Sequence, residues 1–230
     1  MVNKQSDRSR DRAREDYLKA IYHLGQGGPV KAVRLAQHLS VSRASVSKSR
    51  RVLEREGLVV PNSHRGGALQ LTPHGTVLAL RVIRRHRLVE TFLHRSLGVP
   101  LARIHEDAER IEHSISDDIA RRLAQFLGNP ASDPHGHRIA AQAAIARPTP
   151  EKSPADMPAG SRIVITTVDD QNAKIMRKLV ALGLLPGRRA LLLGNAGRGI
   201  RLRAGANIVH VPREVADSIR CVRIADAKTA

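Results

Sequence analysis

The sequence predicts a mainly α-helical chain with α+β parts: an N-terminal winged helix-turn-helix, a helical middle domain and a C-terminal SH3-like β-barrel. Three observations predict it. Residues 12 to 72 run helix, short helix, basic helix, then two β-prone runs about a glycine turn. Residues 73 to 127 carry apolar positions at helical spacing. Residues 161 to 225 break into short β-prone runs punctuated by glycine, around one helical stretch. Six of the twelve prolines fall within residues 128 to 160, a linker composition. The expected boundaries are 1–72, 73–130, a Pro-rich linker over 131–160, and 161–226.

Each element has a local reason. REDYLKAIYHL places Tyr17, Leu18, Ile21, Tyr22 and Leu24 on one helical face, and GQGG stops it. KAVRLAQHL turns Ala32, Leu35, Ala36 and Leu39 inward. In SVSRASVSKSRRVLEREG, Ser42 is a good N-cap, Val46, Val52 and Leu53 form the apolar stripe, and Gly57 ends the helix. LVVPNSHRGGALQLT reads as a hairpin. PHGTVLALRVIRRHRLVETFLHRSL opens with Pro73, which a first turn tolerates. LARIHEDAERIEHSI is a second helix of the middle domain, and SDDIARRLAQFL a third with Ser116 as its N-cap. A short helical piece is expected near Ile139 to Ile145 in the linker. Beyond it, SRIVITTV, RRALLLG, GIRLRAG, NIVHVP and RCVRIA are strands, and QNAKIMRKLVALGLLPG is a helix closed by a glycine turn.

Composition narrows the function classes. Lys and Arg number 39 against 21 Asp and Glu, a formal net charge of +18, which favours a polyanionic partner. Aromatics are only 2% of residues, with no Trp, so the stacking platforms that hold single strands are scarce. Duplex DNA is the expected partner. No run of 18 apolar residues appears, so no membrane span is expected. The opening MVNKQSDRSRDRARED has no apolar core of a signal peptide. The single cysteine, Cys221, excludes an internal disulfide and a Cys-cluster zinc site. These features fit the cytoplasm. HEDAE is not H-E-x-x-H, and no G-x-S-x-G, P-loop or dinucleotide fingerprint appears, so the chain is expected not to be an enzyme.

The charge has a local focus. Residues 1 to 72 hold 14 Lys/Arg and 6 Asp/Glu, so 14 − 6 = +8. On the basic helix the early positions Ser42, Arg43, Ala44, Ser45, Ser47 and Lys48 are small or polar, suited to reaching base edges in the major groove. Arg50, Arg51 and Arg55 suit phosphates, which position without specifying. His64 and Arg65 sit at the hairpin tip, where backbone or minor groove is in reach. A solvated basic face is the bland alternative. The order of elements around this helix favours a DNA reader.

HEDAERIEH, residues 105 to 113, gathers four carboxylates and two histidines. On a helix Glu109, Glu112 and His113 share one face, with His105 one turn earlier. Such a set suits a divalent cation, and oxygen-rich ligation with imidazole and no thiolate suits Mn²⁺ or Fe²⁺. His86 and Glu90, one turn apart on the preceding helix, make a second N/O set with His105 if the helices pack. A solvated acidic face paired with arginines is the alternative for each set.

These residues carry a family resemblance. EDYLKAIYHL, SVSRASVSKSRRVLEREGLV, RRHRLVETFL, HEDAERIEHSIS and DPHG resemble the diphtheria-toxin-repressor and manganese-transport-regulator family of metal-dependent repressors, in its three-domain form. LGLLPG resembles the SH3-like domain of ferrous-transport accessory proteins. The resemblance implies a homodimer built by the helical domain, binding a palindromic DNA operator and repressing metal-uptake genes when metal is plentiful. It implies a primary metal site of Asp16, Glu109, Glu112 and His113, and an ancillary site of His86, Glu90 and His105. Asp169, Asp170 and Gln171 are nearby candidates to add a ligand. It implies base reading by Ser42, Ala44, Ser45 and Lys48. Asp16 and Glu109 stand where iron-type members carry Met and Cys, which points to Mn²⁺ as cofactor, with Fe²⁺ the alternative. Lys19 replaces a carboxylate of the two-domain manganese members, and Asp133 stands where the family often has Cys. An iron-dependent repressor is the alternative within the family. A metal-storage or metalloenzyme module with an incidental basic region is the alternative outside it.

Overall fold

The computed structural model describes residues 2–61, 68–139, 151–196 and 198–224. The chain forms two compact units, Met1–His86 with Glu112–Asp117, and Arg87–Ile111 with Asp118–Ala230.

The first unit is built on helices α1 (Val2–Leu24), α2 (Ala32–His38) and α3 (Arg43–Arg55). Leu18 and Ile21 of α1, Leu35 of α2, and Val46 and Leu53 of α3 are buried in one core with Leu58, Val59 and Leu69. The side chain of Ser42 accepts from Ser45 N at 3.0 Å and starts α3, which supplies one of the donors a helix start leaves unmet. Gly57 ends it with φ 67°. Antiparallel bridges Val59↔Leu71 and Val30↔Leu69 form the base of the expected hairpin. Its tip, residues 62–67 with His64 and Arg65, lies outside the described residues. Helix α4 (Pro73–Leu97) follows at once. Thr72 Oγ1 accepts from Gly75 N at 3.0 Å, and a Cβ on Gly75 would sit 2.0 Å from Leu58 O. Only glycine lets α4 start this close to the hairpin base.

In the second unit the later turns of α4 are joined by α5 (Ile104–Ile111) and α6 (Asp117–Phe126), whose first residue belongs to the other unit. The sequence suggests one helix over residues 101 to 115. Instead α5 ends at Ile111, and Glu112–Ser114 form a 3-10 turn with Ile115 N bonded to Glu112 O. The tighter i to i+3 bonding rotates residues after Ile111 away from the α-helical face expected from their spacing.

Strands β1 (Arg162–Val168), β2 (Arg189–Ala196), β3 (Gly199–Ala204), β4 (Asn207–Pro212) and β5 (Ile219–Arg223) form an antiparallel sheet in the order β4-β3-β2-β1-β5. Alternating burial along β3 packs Ile200 and Leu202 inward and leaves Arg201 and Arg203 outside. Helix α7 (Ala173–Leu182) is capped by Asn172 and closed by Gly183 at φ 64°. Helix α8 (Arg213–Asp217) connects β4 to β5.

Part of the segment read as linker is ordered. Asp133 Oδ1 accepts from His135 N at 2.8 Å and His137 N at 3.0 Å, a side-chain-built turn closed by the Ser132↔Arg138 bridge. Val168 N bonds to His135 O, tying this turn to β1. Downstream, Lys152 pairs with Cys221 of β5. The helical piece expected near Ile139 to Ile145 falls almost wholly in residues 140–150, outside the described residues.

Candidate metal centres and nucleic-acid interface

The first cluster lies in the first unit. Asp16 of α1 meets Glu112 and His113 of the 3-10 turn, with ligand atoms of all three within 4.8 Å of one another. His113 Nε2 is 2.9 Å from Asp16 Oδ1 and 3.4 Å from Glu112 Oε1. It meets the Asp16 oxygen out of line and makes no hydrogen bond, although the nitrogen is buried. His113 Nδ1 bonds to Glu15 Oε2 at 2.7 Å. Burial works against a charged imidazole here, but the Asp16 and Glu15 carboxylates outweigh it and push His113 up to about 9. Glu15, despite its own burial, is held below the usual carboxylate range by His113 and Arg85.

Glu112 is fully buried. Its Oε1 takes Lys19 Nζ at 2.7 Å, and its Oε2 takes His86 Nδ1. Two outcomes differ from the sequence reading. His86, expected at the ancillary site, reaches the Glu112 carboxylate. Lys19 acts as a cation built into the cluster. Glu15, Lys19 and Arg85 were not among the expected site residues. Glu15 and Lys19 sit one residue before and three after Asp16, so only the helical turn of α1 brings them together.

The second cluster lies in the second unit. His105 Nδ1 is 3.3 Å from Glu90 Oε1 and 3.6 Å from Asp170 Oδ2. Gln171 Nε2 is 3.3 Å from His105 Nε2. Glu109 Oε1 is 3.7 Å from that same nitrogen, one turn before Glu112 in sequence. Asp169 instead accepts from Gln171 N at 3.0 Å. His135, fully buried, points Nδ1 at Glu90 Oε1 and Asp170 Oδ2, both 3.6 Å away. Its Nε2 lies 3.3 Å from Leu101 O, so this nitrogen carries the hydrogen and the Nδ1 lone pair faces the carboxylates. Without a cation that is repulsive unless a proton intervenes. Accordingly, despite burial, Glu90 and Asp170 push His135 up to about 9. The sequence reading missed His135. Its signal was DPHGH, where an aspartate two residues before a histidine builds an Asx turn.

Both clusters fit a divalent cation on chemical grounds. Each offers carboxylate oxygens and imidazole nitrogens, and each holds a buried nitrogen with no hydrogen bond, His113 Nε2 and His135 Nδ1. Neither offers a thiolate. Cys221 is buried, its thiol pushed up to about 11 by that burial, and it donates to Lys152 O.

On α3, Ser42, Arg43, Ala44, Ser45, Lys48, Arg51 and Arg55 are exposed. Arg50 is half-buried, and its Nε donates to Glu54 Oε1 at 2.9 Å. A cavity of about 840 Å³ between α1 and α3 is lined by Arg10, Arg14, Ser45, Lys48 and Arg55 among others.

Three family models match in chain order. They are the N-terminal DNA-binding domain of iron-dependent repressors over residues 11–67, their metal-binding and dimerisation domain over 72–141, and the FeoA domain over 155–223. The iron-dependent repressor IdeR of Mycobacterium leprae is 31% identical over 233 residues, covering 91% of this chain and 96% of that protein. The chain belongs to the diphtheria-toxin-repressor family. It is a metal-dependent transcriptional repressor of that family, with a DNA-binding domain, a helical middle domain and a C-terminal FeoA-type, SH3-like sheet. The diphtheria toxin repressor of Corynebacterium diphtheriae is 41% identical over 127 residues, 54% of this chain and 55% of that protein. Among solved family structures, a manganese-dependent transcriptional repressor in complex with manganese aligns with TM-score 0.84 at 29% identity, over 91% of this chain and 99% of that chain. ScaR with bound Cd²⁺ aligns with TM-score 0.78 at 30% identity, over 92% and 99%. Among the described residues, no helix is long and apolar enough to cross a membrane.

Proposed function

We propose that this chain is a Mn²⁺-activated repressor that works in the cytoplasm as a homodimer on a palindromic duplex operator, shutting off metal-uptake genes. The observation that carries it is Asp16. It sits on α1, whose Leu18 and Ile21 share a core with Val46 and Leu53 of the basic helix α3, and its carboxylate faces Glu112 and His113. A change in how Asp16 is held is therefore passed to the DNA-reading helix through packed side chains.

When bound, a divalent ion supplies positive charge and fixed coordination directions to oxygen and imidazole donors. Asp16, Glu112 and His113 then hold α1 in one position, with Glu109 as the further primary ligand one turn before Glu112. Glu90 and His105 form the ancillary site, and His86, Asp170 and His135 support it. The boundaries 1–72, 73–130, 131–160 and 161–226 remain our domain assignment. Ser42, Ala44, Ser45 and Lys48 read bases, while Arg43, Arg51 and the hairpin's Arg65 hold phosphates. Arg50, engaged by Glu54, contributes less. The homodimer is supported by Leu97, Ile119 and Phe126, which are 60%, 47% and 70% exposed in the single chain, more apolar surface than isolated residues require.

Hard carboxylates at Asp16 and Glu109 favour Mn²⁺, which binds weakly in the general order and is selected by ligand type and geometry. The second reading, Fe²⁺ as activator, is favoured by the mycobacterial relatives, which are named iron-dependent. One experiment decides between them. Metal-free protein is titrated with Mn²⁺, Fe²⁺ and Zn²⁺ in parallel against a palindromic duplex. Mn²⁺ is expected to raise affinity at the lowest free concentration, by about 5- to 150-fold for couplings of this kind. Binding that ignores metal overturns the switch, and Fe²⁺ acting first moves the assignment to iron. Lys48→Ala should weaken operator binding more than non-specific binding.

A further inference from the structure

We infer that the second cluster holds two divalent ions, with the loop of Asp133, His135 and His137 supplying the second position beside Glu90 and His105. This inference rests on the reading of that cluster as the ancillary site.

The donors fall into two sets. Glu90, His105 and Asp170 converge in one, and Asp133, His135 and His137 in the other, each set within 4.8 Å. Asp170 joins them. Its Oδ2 lies 3.6 Å from His105 Nδ1, 3.6 Å from His135 Nδ1 and 3.5 Å from His137 Nδ1. A single carboxylate oxygen approached by three imidazoles has the placement of a bridging ligand. Three carboxylates and three imidazoles also fill the shell of one five- or six-coordinate ion with no room for solvent, whereas two ions sharing Asp170 each keep open positions.

The loop shows that it is built. Asp133 is 4% exposed. Its Oδ1 is fixed by the two backbone N–H groups of the turn, while its buried Oδ2 makes no hydrogen bond. That oxygen is 3.4 Å from His137 Nδ1 and 3.7 Å from Arg87 Nε. Buried polar atoms are rarely left unmet without a purpose, and here Asp133 Oδ2 and His135 Nδ1 are unmet in the same loop. Arg87 is the cation that opposes a second ion. Its Nη1 is engaged by Arg138 O, so the guanidinium has a backbone partner apart from Asp133. Gly136, at φ +90°, presses the loop onto β1, since a Cβ there would lie 2.0 Å from Thr166 O. The donors are thus held by backbone contacts and do not depend on an ion for their placement.

The test uses full-length protein with Mn²⁺ as probe. Ions per chain are counted by equilibrium dialysis with elemental analysis, and spin coupling is read by electron paramagnetic resonance. Wild type is expected to hold three ions, Glu112→Gln two, and His137→Ala two. The saturated wild type should show the broadened spectrum of a coupled Mn²⁺ pair, and His137→Ala the six-line spectrum of isolated ions. A wild type without coupling at saturation overturns the inference, and this needs no variant. An unchanged count in His137→Ala also overturns it. Failure of the repressor reading is separate: it shows as metal-independent operator binding whatever the ion count.

Discussion

The two metal-ligand clusters differ in how they are compensated without an ion. In the first, buried Glu112 already has Lys19 and His86 on its two oxygens, and Glu15 has Arg85 and His113. In the second, the cation nearest the Asp133 loop is Arg87 at 3.7 Å, and Asp133 Oδ2 and His135 Nδ1 make no hydrogen bond. The first can rest without metal at little cost, as a regulated position must if it is to empty when the ion is scarce. The second keeps an electrostatic debt that only an ion or protons relieve, so it is the cluster whose filling should stabilise the fold most.

The largest effect should come from Lys19→Met. Removing one partner of a buried ion pair costs about 3–5 kcal/mol because the other charge stays buried. His86 also holds Glu112, so a loss near the lower end, roughly 3 kcal/mol, is expected in chelator. Saturating Mn²⁺ should then restore more stability to this variant than it adds to wild type. Denaturant melts with and without Mn²⁺ measure both quantities. A variant as stable as wild type in chelator would show that Lys19 does not compensate the first cluster.

Gly136→Ala should act on the second cluster. The φ of +90° and the approach to Thr166 O leave no room for a methyl group. Strained conformations of this kind cost about 1–3 kcal/mol, and the loop should lift from β1 instead of bearing that cost. His135 and His137 move with it. The Mn²⁺-induced rise in melting temperature should fall, while the first cluster keeps its response in operator binding. An unchanged rise would separate the loop from metal binding.

The sequence was uneven in what it disclosed, and the two clusters show why. Helical spacing placed Leu18, Ile21, Val46 and Leu53 in one core, and alternation placed the five strands, because those signals are local and periodic. HEDAERIEH and RRHRLVE disclosed ligand-type residues for the same reason. Spacing did not show that the helix breaks at Ile111, nor that His86 meets Glu112 and not only Glu90. Those are tertiary facts. Asp133, His135 and His137 were hidden by composition, since prolines and glycines around them read as linker. A turn built by Asp133 Oδ1 is as ordered as a helix but leaves no periodic trace. Arg50 shows the opposite limit. Its charge suited a phosphate, while its partner Glu54, one turn on, was visible in the sequence.

The smallest effect in chelator should come from Asp133→Asn, and it tests the comparison most sharply. The asparagine oxygen can keep both backbone donors, His135 N and His137 N, so the turn survives. The amide nitrogen replaces the unbonded Oδ2 and can donate toward His137 Nδ1, which now lies 3.4 Å from that oxygen. A buried charge is lost, and with it the attraction to Arg87, while one hydrogen bond worth about 0.5–1.5 kcal/mol is gained. These terms oppose each other, so stability in chelator should change by less than about 1 kcal/mol. The metal-dependent part should not be spared, because an amide is a poor replacement for an anionic ligand. Stabilisation by a ligand grows with its concentration relative to its dissociation constant, so the Mn²⁺-induced gain should shrink across the whole titration. Lys19→Met and Asp133→Asn thus move in opposite senses, the first losing stability without metal and gaining more from it, the second nearly unchanged without metal and gaining less. A large loss for Asp133→Asn in chelator would mean that Arg87 already compensates this carboxylate, and the contrast between the clusters would fail.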